Sequence, residues 1–249
     1  MCLILVAWRQ HPQYPLVVAA NRDEYHSRPS TPAAPWQEDI RVIGGKDLEA
    51  GGTWLALRSG GRFAAVTNVR EPGVAKGNRS RGLLVSDYLL CGSAPLHYCR
   101  KLEGGDYSGF NFLAADTTAL VYYSNRNGSP EVLPPGIYGV SNHFLDTPWP
   151  KLTAAKAAFT EALAALPIRD DCFALLADRA IAPDTRLPAT GVSLEWERRL
   201  SAIFVLSPDY GTRTSSVAWI TASGEALLEE RNFFPDGSRG QTSLISTAE

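Results

Sequence analysis

The stretch CLILVAWRQHPQYPLVVAANRDE, residues 2–24, decides how this chain is read. Two apolar runs, CLILVAW and YPLVVAAN, flank RQHPQ, a polar segment containing proline. That pattern predicts two paired strands joined by a turn. The apolar residues occupy both alternating positions of each run, as expected of strands in a sheet that is covered on both sides. The second run ends in NRDE, which places two carboxylates and a guanidinium at the end of a buried strand. Charged groups there cost stability unless they are paired or used. The first run begins with Cys2. Cysteine in an apolar strand is usually a small hydrophobe, so Cys2 needs support from the rest of the chain before it is read as chemical.

Working outward, TWLALR and GRFAAVTNV flank SGG and predict a second hairpin, and FNFLAAD and ALVYYS, with only TT between them, predict a third. Helices are expected over SRGLLVSDYLLCG, with Gly92 as its C-terminal cap, over PWPKLTAAKAAFTEALAAL between Pro150 and Pro167, and over DCFALLAD. The C-terminal third predicts strands at SAIFVL, SSVAWI and ALLEERNFF. No repeat, low-complexity tract or long linker divides the chain, so residues 1–249 are expected to form one domain. Strands for at least two sheets with helices between them point to a layered α+β architecture.

Composition narrows the function classes. Of 249 residues, 45% are hydrophobic, which supports an ample core, and a net charge of -2 gives no general attraction to nucleic acid or an anionic membrane. The opening apolar run stops at Arg9, too short for a signal-peptide core. No later segment approaches the length of a membrane span, so a cytoplasmic protein without integral membrane association is expected. Cys2, Cys91, Cys99 and Cys172 lack CxxC spacing, and His11, His26, His97 and His143 are scattered, so neither a metal site nor a cofactor is implied.

Four polar constellations interrupt the apolar strands: NRDE, Asn68 in AAVTNV, Asn142 in GVSN and Arg213 in YGTRTSSV. Singly, each also reads as ordinary structure: a turn ion pair, two amides bonded to backbone, a surface arginine. Together they supply a thiol nucleophile, groups that set its protonation, and two amides for an oxyanion. Removal of Met1 would expose the Cys2 α-amine, whose reference pKa of about 7.7–8 lies close enough to that of a thiol, about 8.5, for it to act as base. The loop VREPGVAKGNRSRG adds Arg70, Lys76, Arg79 and Arg81 ahead of a predicted helix. As a site rather than a solvated loop, it would hold a carboxylate or phosphate. LEAGGTW precedes a strand and not a helix, so Gly51 and Gly52 are read as a tight turn or a close backbone approach.

MCLILVAW, AANRDEYHSRP, LEAGGTWLAL, AAVTNVREP, SRGLLVSDYL, GVSNHFLDTPWPK and YGTRTSSV, in this order, resemble the NRDE family, whose eukaryotic members are called transport and Golgi organization proteins. That family is similar to N-terminal nucleophile hydrolases of the bile salt hydrolase and penicillin acylase type. The resemblance implies a four-layered αββα sandwich. It implies Cys2 as nucleophile, Arg22 and Asp23 as the guanidinium and acid beside it, Asn68 and Asn142 as oxyanion amides, and Arg213 as a further arginine near the thiol. The adjacency of Arg22, Asp23 and Glu24 leaves their division of roles open. The family's associations with haem trafficking, acyl-CoA and lipid homeostasis leave two functions: a hydrolase of nonpeptide amide or thioester bonds, or a noncatalytic carrier for haem or acyl-CoA in the same cleft. Either would take a small acyl, amide or haem-like ligand.

Overall fold

The computed structural model describes residues 2–247. In chain order the elements are β1 (Cys2–Trp8), β2 (Leu16–Tyr25), β3 (Ala34–Pro35), β4 (Val42–Gly44), β5 (Leu55–Arg58), β6 (Arg62–Asn68), α1 (Gly82–Leu90), α2 (Pro95–Arg100), β7 (Phe110–Ala115), β8 (Leu120–Ser124), β9 (Asn127–Leu133), β10 (Gly136–Val140), α3 (Pro150–Ala162), α4 (Asp170–Leu176), α5 (Leu194–Leu200), β11 (Tyr210–Ile220), β12 (Ala226–Phe233) and β13 (Arg239–Ser246). One sheet runs β10-β1-β2-β11-β12-β13, the other β3-β4-β5-β6-β7-β8-β9. The three expected hairpins, β1–β2, β5–β6 and β7–β8, all form.

Strand alternation explains the layering. Ile4, Val6, Trp8, Leu16, Val18 and Ala20 face the second sheet and pack on Leu55, Leu57, Phe63, Ala65 and Leu113. The intervening Leu3, Leu5, Ala7, Val17 and Ala19 face the opposite way, onto Leu152, Ala155 and Phe159 of α3 and Cys172 and Leu176 of α4. On the far side of the second sheet, Val42, Ala56, Ala64, Phe110 and Phe112 pack under Leu84, Val85, Tyr88 and Leu89 of α1 and Cys99 of α2. Both faces of both sheets are therefore apolar, and the result is the expected αββα sandwich. Among the described residues, no helix is long and apolar enough to cross a membrane.

Two local expectations are corrected. SAIFVL is not a strand: residues 201–206 follow α5 as irregular chain. Their backbone groups bond elsewhere, with Phe204 N donating to Asp178 O at 2.7 Å and Ile203 O accepting from Asn21 Nδ2 at 3.0 Å. Gly92 is not a left-handed cap, because α1 ends at Cys91 in extended conformation and Gly92 keeps a negative φ.

Candidate active site

The β1–β2 ladder sets Cys2 directly opposite Arg22. Cys2 shares the face of Ile4, and Arg22 that of Ala20, so both side chains lie toward the second sheet. Asp23, one residue on, goes to the other face. There Thr212 Oγ1 donates to Asp23 Oδ1 at 2.7 Å, and the Tyr210 hydroxyl donates to the Asp23 carbonyl oxygen at 2.9 Å. The adjacency of Arg22 and Asp23 thus divides the two groups between opposite sides of one strand. Asn21, 0% exposed, is structural: its Nδ2 donates to Leu176 O at 2.8 Å and to Ile203 O, and its Oδ1 accepts from Ser215 Oγ at 2.6 Å. Glu24 belongs to an ion-pair cluster with Arg28, whose Nε also meets Asp47 Oδ2 at 2.8 Å.

Cys2 lies in the wall of a cleft of about 360 Å³ together with Arg22, Trp54, Asn68, Lys76 and Arg81. The cleft adjoins a second lobe of about 650 Å³ that shares Asn68, Lys76 and Arg81 and adds Tyr25, Val192, Trp196, Leu200 and Tyr210. Burial pushes the Cys2 thiol above its ordinary pKa and the Asp23 carboxylate adds to this, while Arg22 and the backbone N–H of Asp23 pull the other way. At neutral pH the sulfur therefore keeps its proton and needs a base to become nucleophilic. Met1, whose removal would expose the Cys2 α-amine, lies outside the described residues.

Arg22 is 7% exposed. Its NH2 lies 3.9 Å from Asp47 Oδ2, and its NH1 has no hydrogen-bond partner among the described residues. It therefore keeps donor capacity close to the thiol.

The two amides meet, but not as a symmetric pair of oxyanion donors. Asn142, 0% exposed, is absent from the cleft wall. Its Nδ2 donates to the Asn68 main-chain oxygen at 3.2 Å and to Asn68 Oδ1 at 3.0 Å. A carbonyl only accepts, so Asn142 must present its NH₂ there; Asn68 then presents oxygen to Asn142 and keeps its own NH₂. Ser141 Oγ, 3.2 Å from Asn142 Oδ1, donates to Cys2 O at 3.0 Å and ties this pair to β1.

The basic loop divides. Lys76, Arg79 and Arg81 line the cleft, whereas Arg70 does not. Arg70 NH1 meets Glu197 Oε2 at 2.7 Å with both side chains 4% exposed, and its guanidinium stacks 4.8 Å from the Trp149 ring. Arg79 pairs with Asp87 at 3.2 Å at the surface. Arg81 is half-buried, donates to Gly109 O at 3.1 Å and interacts electrostatically with the Cys2 thiol.

Arg213 is also displaced from its expected place beside the thiol. The β2–β11 register shifts between Thr212 and Thr214, and this bulge re-aims Arg213 toward the carbonyl oxygens of Tyr25 and Arg28. It braces the chain after β2, and the guanidinium-bearing residues that line the cleft are Arg22, Arg28, Arg79 and Arg81.

Sequence reasoning missed Thr212 and Lys151. Lys151 is 4% exposed in the first turn of α3. A cation in a helix's first turn opposes the helix dipole, which was a usable signal that the residue has another reason to be there. Among the described residues, no three His, Cys, Asp or Glu side chains gather to hold a metal, and none of the four histidines lines the cleft.

A family model described as Transport and Golgi organisation 2 matches residues 1–235. The Transport and Golgi organization protein 2 homolog of Bos taurus is 40% identical over 270 residues, covering 97% of each chain. The Homo sapiens homolog is 37% identical over 258 residues, covering 93% of each, and the Drosophila melanogaster protein is 29% identical with 92% of each covered. Among solved structures, the Caenorhabditis elegans ortholog of N-acylethanolamine-hydrolyzing acid amidase superposes with a TM-score of 0.52 at 14% identity, covering 98% of this chain and 100% of that one. A mutant conjugated bile acid hydrolase from Clostridium perfringens gives 0.52 at 8%, covering 99% and 92%. Those likenesses show the fold of N-terminal nucleophile hydrolases. The chain belongs to the Transport and Golgi organisation 2 family.

Proposed function

We propose that the chain is a cysteine hydrolase of nonpeptide amide or thioester bonds. The observation that carries this reading is the placement of Cys2 across the β1–β2 ladder from Arg22, in the wall of a cleft that Asn68 also lines. With Met1 removed, the Cys2 α-amine takes the thiol proton, and the sulfur attacks the substrate carbonyl carbon. The oxyanion that forms accepts from the NH₂ of Asn68, with Arg22 adding positive charge. As the carbonyl re-forms, the C–N or C–S bond breaks and the leaving group takes the proton from the amine. Water, deprotonated by the same amine, then cleaves the acyl-cysteine thioester, releasing the acid and restoring the thiol.

The two lobes suit an acyl substrate. Trp196, Leu200 and Val192 offer apolar surface for the acyl part, while Lys76, Arg79 and Arg81 accept a carboxylate or phosphate elsewhere in the ligand. The same basic wall favours a second reading, a carrier that binds an acyl-CoA or haem-like anion without turnover. Both readings concern a small ligand inside the cell, in line with the cytoplasmic expectation.

The test is an intact mass of the purified protein before and after a brief iodoacetamide pulse, followed by an acyl-substrate screen. Loss of Met1, alkylation of Cys2 ahead of Cys91, Cys99 and Cys172, and hydrolysis abolished by Cys2→Ala support the hydrolase. Retained Met1 with an inert Cys2, and acyl-CoA or haem binding that survives Cys2→Ala but weakens when Arg79 and Arg81 are both neutralised, would establish the carrier instead.

A further inference from the structure

Arg22 and Thr214 face each other across the β2–β11 ladder, on the side of the sheet that carries Ala20 and Ala218. Glu230, on β12, lies two positions from the partner of Thr214 and therefore shares that side. All three residues line a small cavity of about 30 Å³. Asp47, Thr53 and Trp54 line both this chamber and the larger cleft, as Arg22 does, so Arg22 stands in the partition between the two.

The polar groups of the chamber are unevenly used. Arg22, Thr214 and Glu230 are 7%, 7% and 3% exposed. Arg22 NH1 and Thr214 Oγ1 have no hydrogen-bond partner among the described residues. Glu230 Oε1 accepts from Ala33 N at 2.8 Å, which leaves the carboxyl with further acceptor capacity. Arg22 NH2 reaches Asp47 at 3.9 Å, and among the described residues Arg22 makes no direct ion pair with Glu230. The neighbouring charges are committed elsewhere, Asp47 Oδ2 to Arg28 Nε at 2.8 Å and Lys46 Nζ to Glu38 at 2.6 Å. Buried polar atoms are costly to leave unpaired, and in folded proteins they are met by other protein groups or by ordered water.

The lining selects its occupant. The guanidinium repels a cation, and the carboxyl groups of Glu230 and Asp47 disfavour an anion. A neutral molecule that both donates and accepts suits all of them. A buried water needs roughly 10–15 Å³ and two to four polar partners, and the chamber supplies both.

We propose that the chamber is a site for an internal water that bridges Arg22, Thr214 and Glu230 and so holds the Arg22 guanidinium across the ladder from Cys2. The water accepts from Arg22 NH1 and donates to the Glu230 carboxyl, and its third bond is to the Thr214 hydroxyl, which can donate or accept. Thr214 and Glu230 are thus positioning residues that act through Arg22. The water site does not depend on turnover; only the purpose of holding Arg22 near the thiol rests on the hydrolase reading.

The experiment is a crystal structure of the full chain in which ordered waters are resolved. A water is expected about 2.5–3.2 Å from Arg22 NH1, Thr214 Oγ1 and a Glu230 oxygen. A dry chamber, an ion inside it, or Arg22 NH1 turned onto a protein acceptor overturns the proposal.

Positioning has its own readout in the pH dependence of Cys2 alkylation, because a guanidinium held near the sulfur favours the thiolate. Thr214→Val keeps the shape of the side chain and removes the hydroxyl. It is expected to raise the inflection by roughly one unit, and Thr214→Ser to restore it. Asp23 and Arg81, which also act on the thiol, are the same in both variants. An unmoved inflection in Thr214→Val overturns the positioning of Arg22. A Cys2 that resists alkylation would refute the hydrolase, and the crystal structure, which needs no variant, would still decide the chamber.

Discussion

Asn142 donates both to the main-chain oxygen of Asn68, at 3.2 Å, and to its Oδ1, at 3.0 Å. The buried amide thus fixes which way the cleft amide points. An oxyanion donor is effective only when it is oriented before charge develops, so the two residues are expected to act as one unit.

Asn68→Ala should slow acyl hydrolysis by roughly a hundredfold or more. Asn142→Ala should cost a comparable factor by releasing Asn68, and the double variant should be no slower than the worse single one. A double-mutant cycle on kcat decides this; additive losses would show that Asn142 acts independently.

Arg70→Ala and Glu197→Ala should each destabilise the fold by about 3–5 kcal/mol, because each strands a charge buried to 4% exposure. Replacing both by apolar residues, Arg70→Met with Glu197→Leu, should recover much of that loss. Urea midpoints read the difference. This pair serves packing, and the double variant separates it from Lys76, Arg79 and Arg81, which line the cleft.

Gly52 has φ +75°, and a Cβ there would come within 2.3 Å of the main chain of Gly82, the first residue of α1. Gly52→Ala is therefore expected to destabilise the protein by more than the ~1 kcal/mol that separates alanine from glycine in ordinary settings. It should also move the start of α1 against the cleft, weakening anion binding. Thermal unfolding and a ligand titration measure the two effects. The close backbone approach expected for LEAGGTW is thus the one found.

Glu230 is 3% exposed and accepts from Ala33 N at 2.8 Å. Burial pushes its carboxyl above the ordinary value, with the Ala33 N–H, Asn232 and Arg22 opposing. A carboxyl raised on folding holds its proton longer in the native state, so its contribution is fully present below the unfolded pKa and is lost as pH rises through the folded one. Glu230→Gln keeps the acceptor and removes the charge. Its denaturation midpoint should exceed that of the parent at pH 7, and the two should converge near pH 4.

The apolar alternation of CLILVAW and YPLVVAA already determined β1 and β2, their coverage on both faces and, with the other hairpins and the Ala-rich helix, the layered α+β class. Cys2, Arg22, Asp23 and Asn68 were legible as polar interruptions of apolar strands, and strand periodicity then explains why adjacent Arg22 and Asp23 serve opposite faces. The edge elements were not legible. β9, NGSPEVL, carries a proline and is mostly exposed, and β13, RGQTSLIS, presents no buried position. Edge strands need no apolar alternation, so no pattern announces them.

Only the tertiary structure decided the pairings between distant segments. Arg70 and Glu197 lie 127 residues apart, and Asn68 and Asn142 lie 74 apart. A one-dimensional pattern records which face of an element avoids water, but not which polar groups the stacked layers bring within hydrogen-bonding reach. For that reason Arg70 lies apart from Lys76, Arg79 and Arg81, a bulge turned Arg213 toward the carbonyl oxygens of Tyr25 and Arg28, and Lys151, at the head of the Ala-rich helix α3, came to be buried.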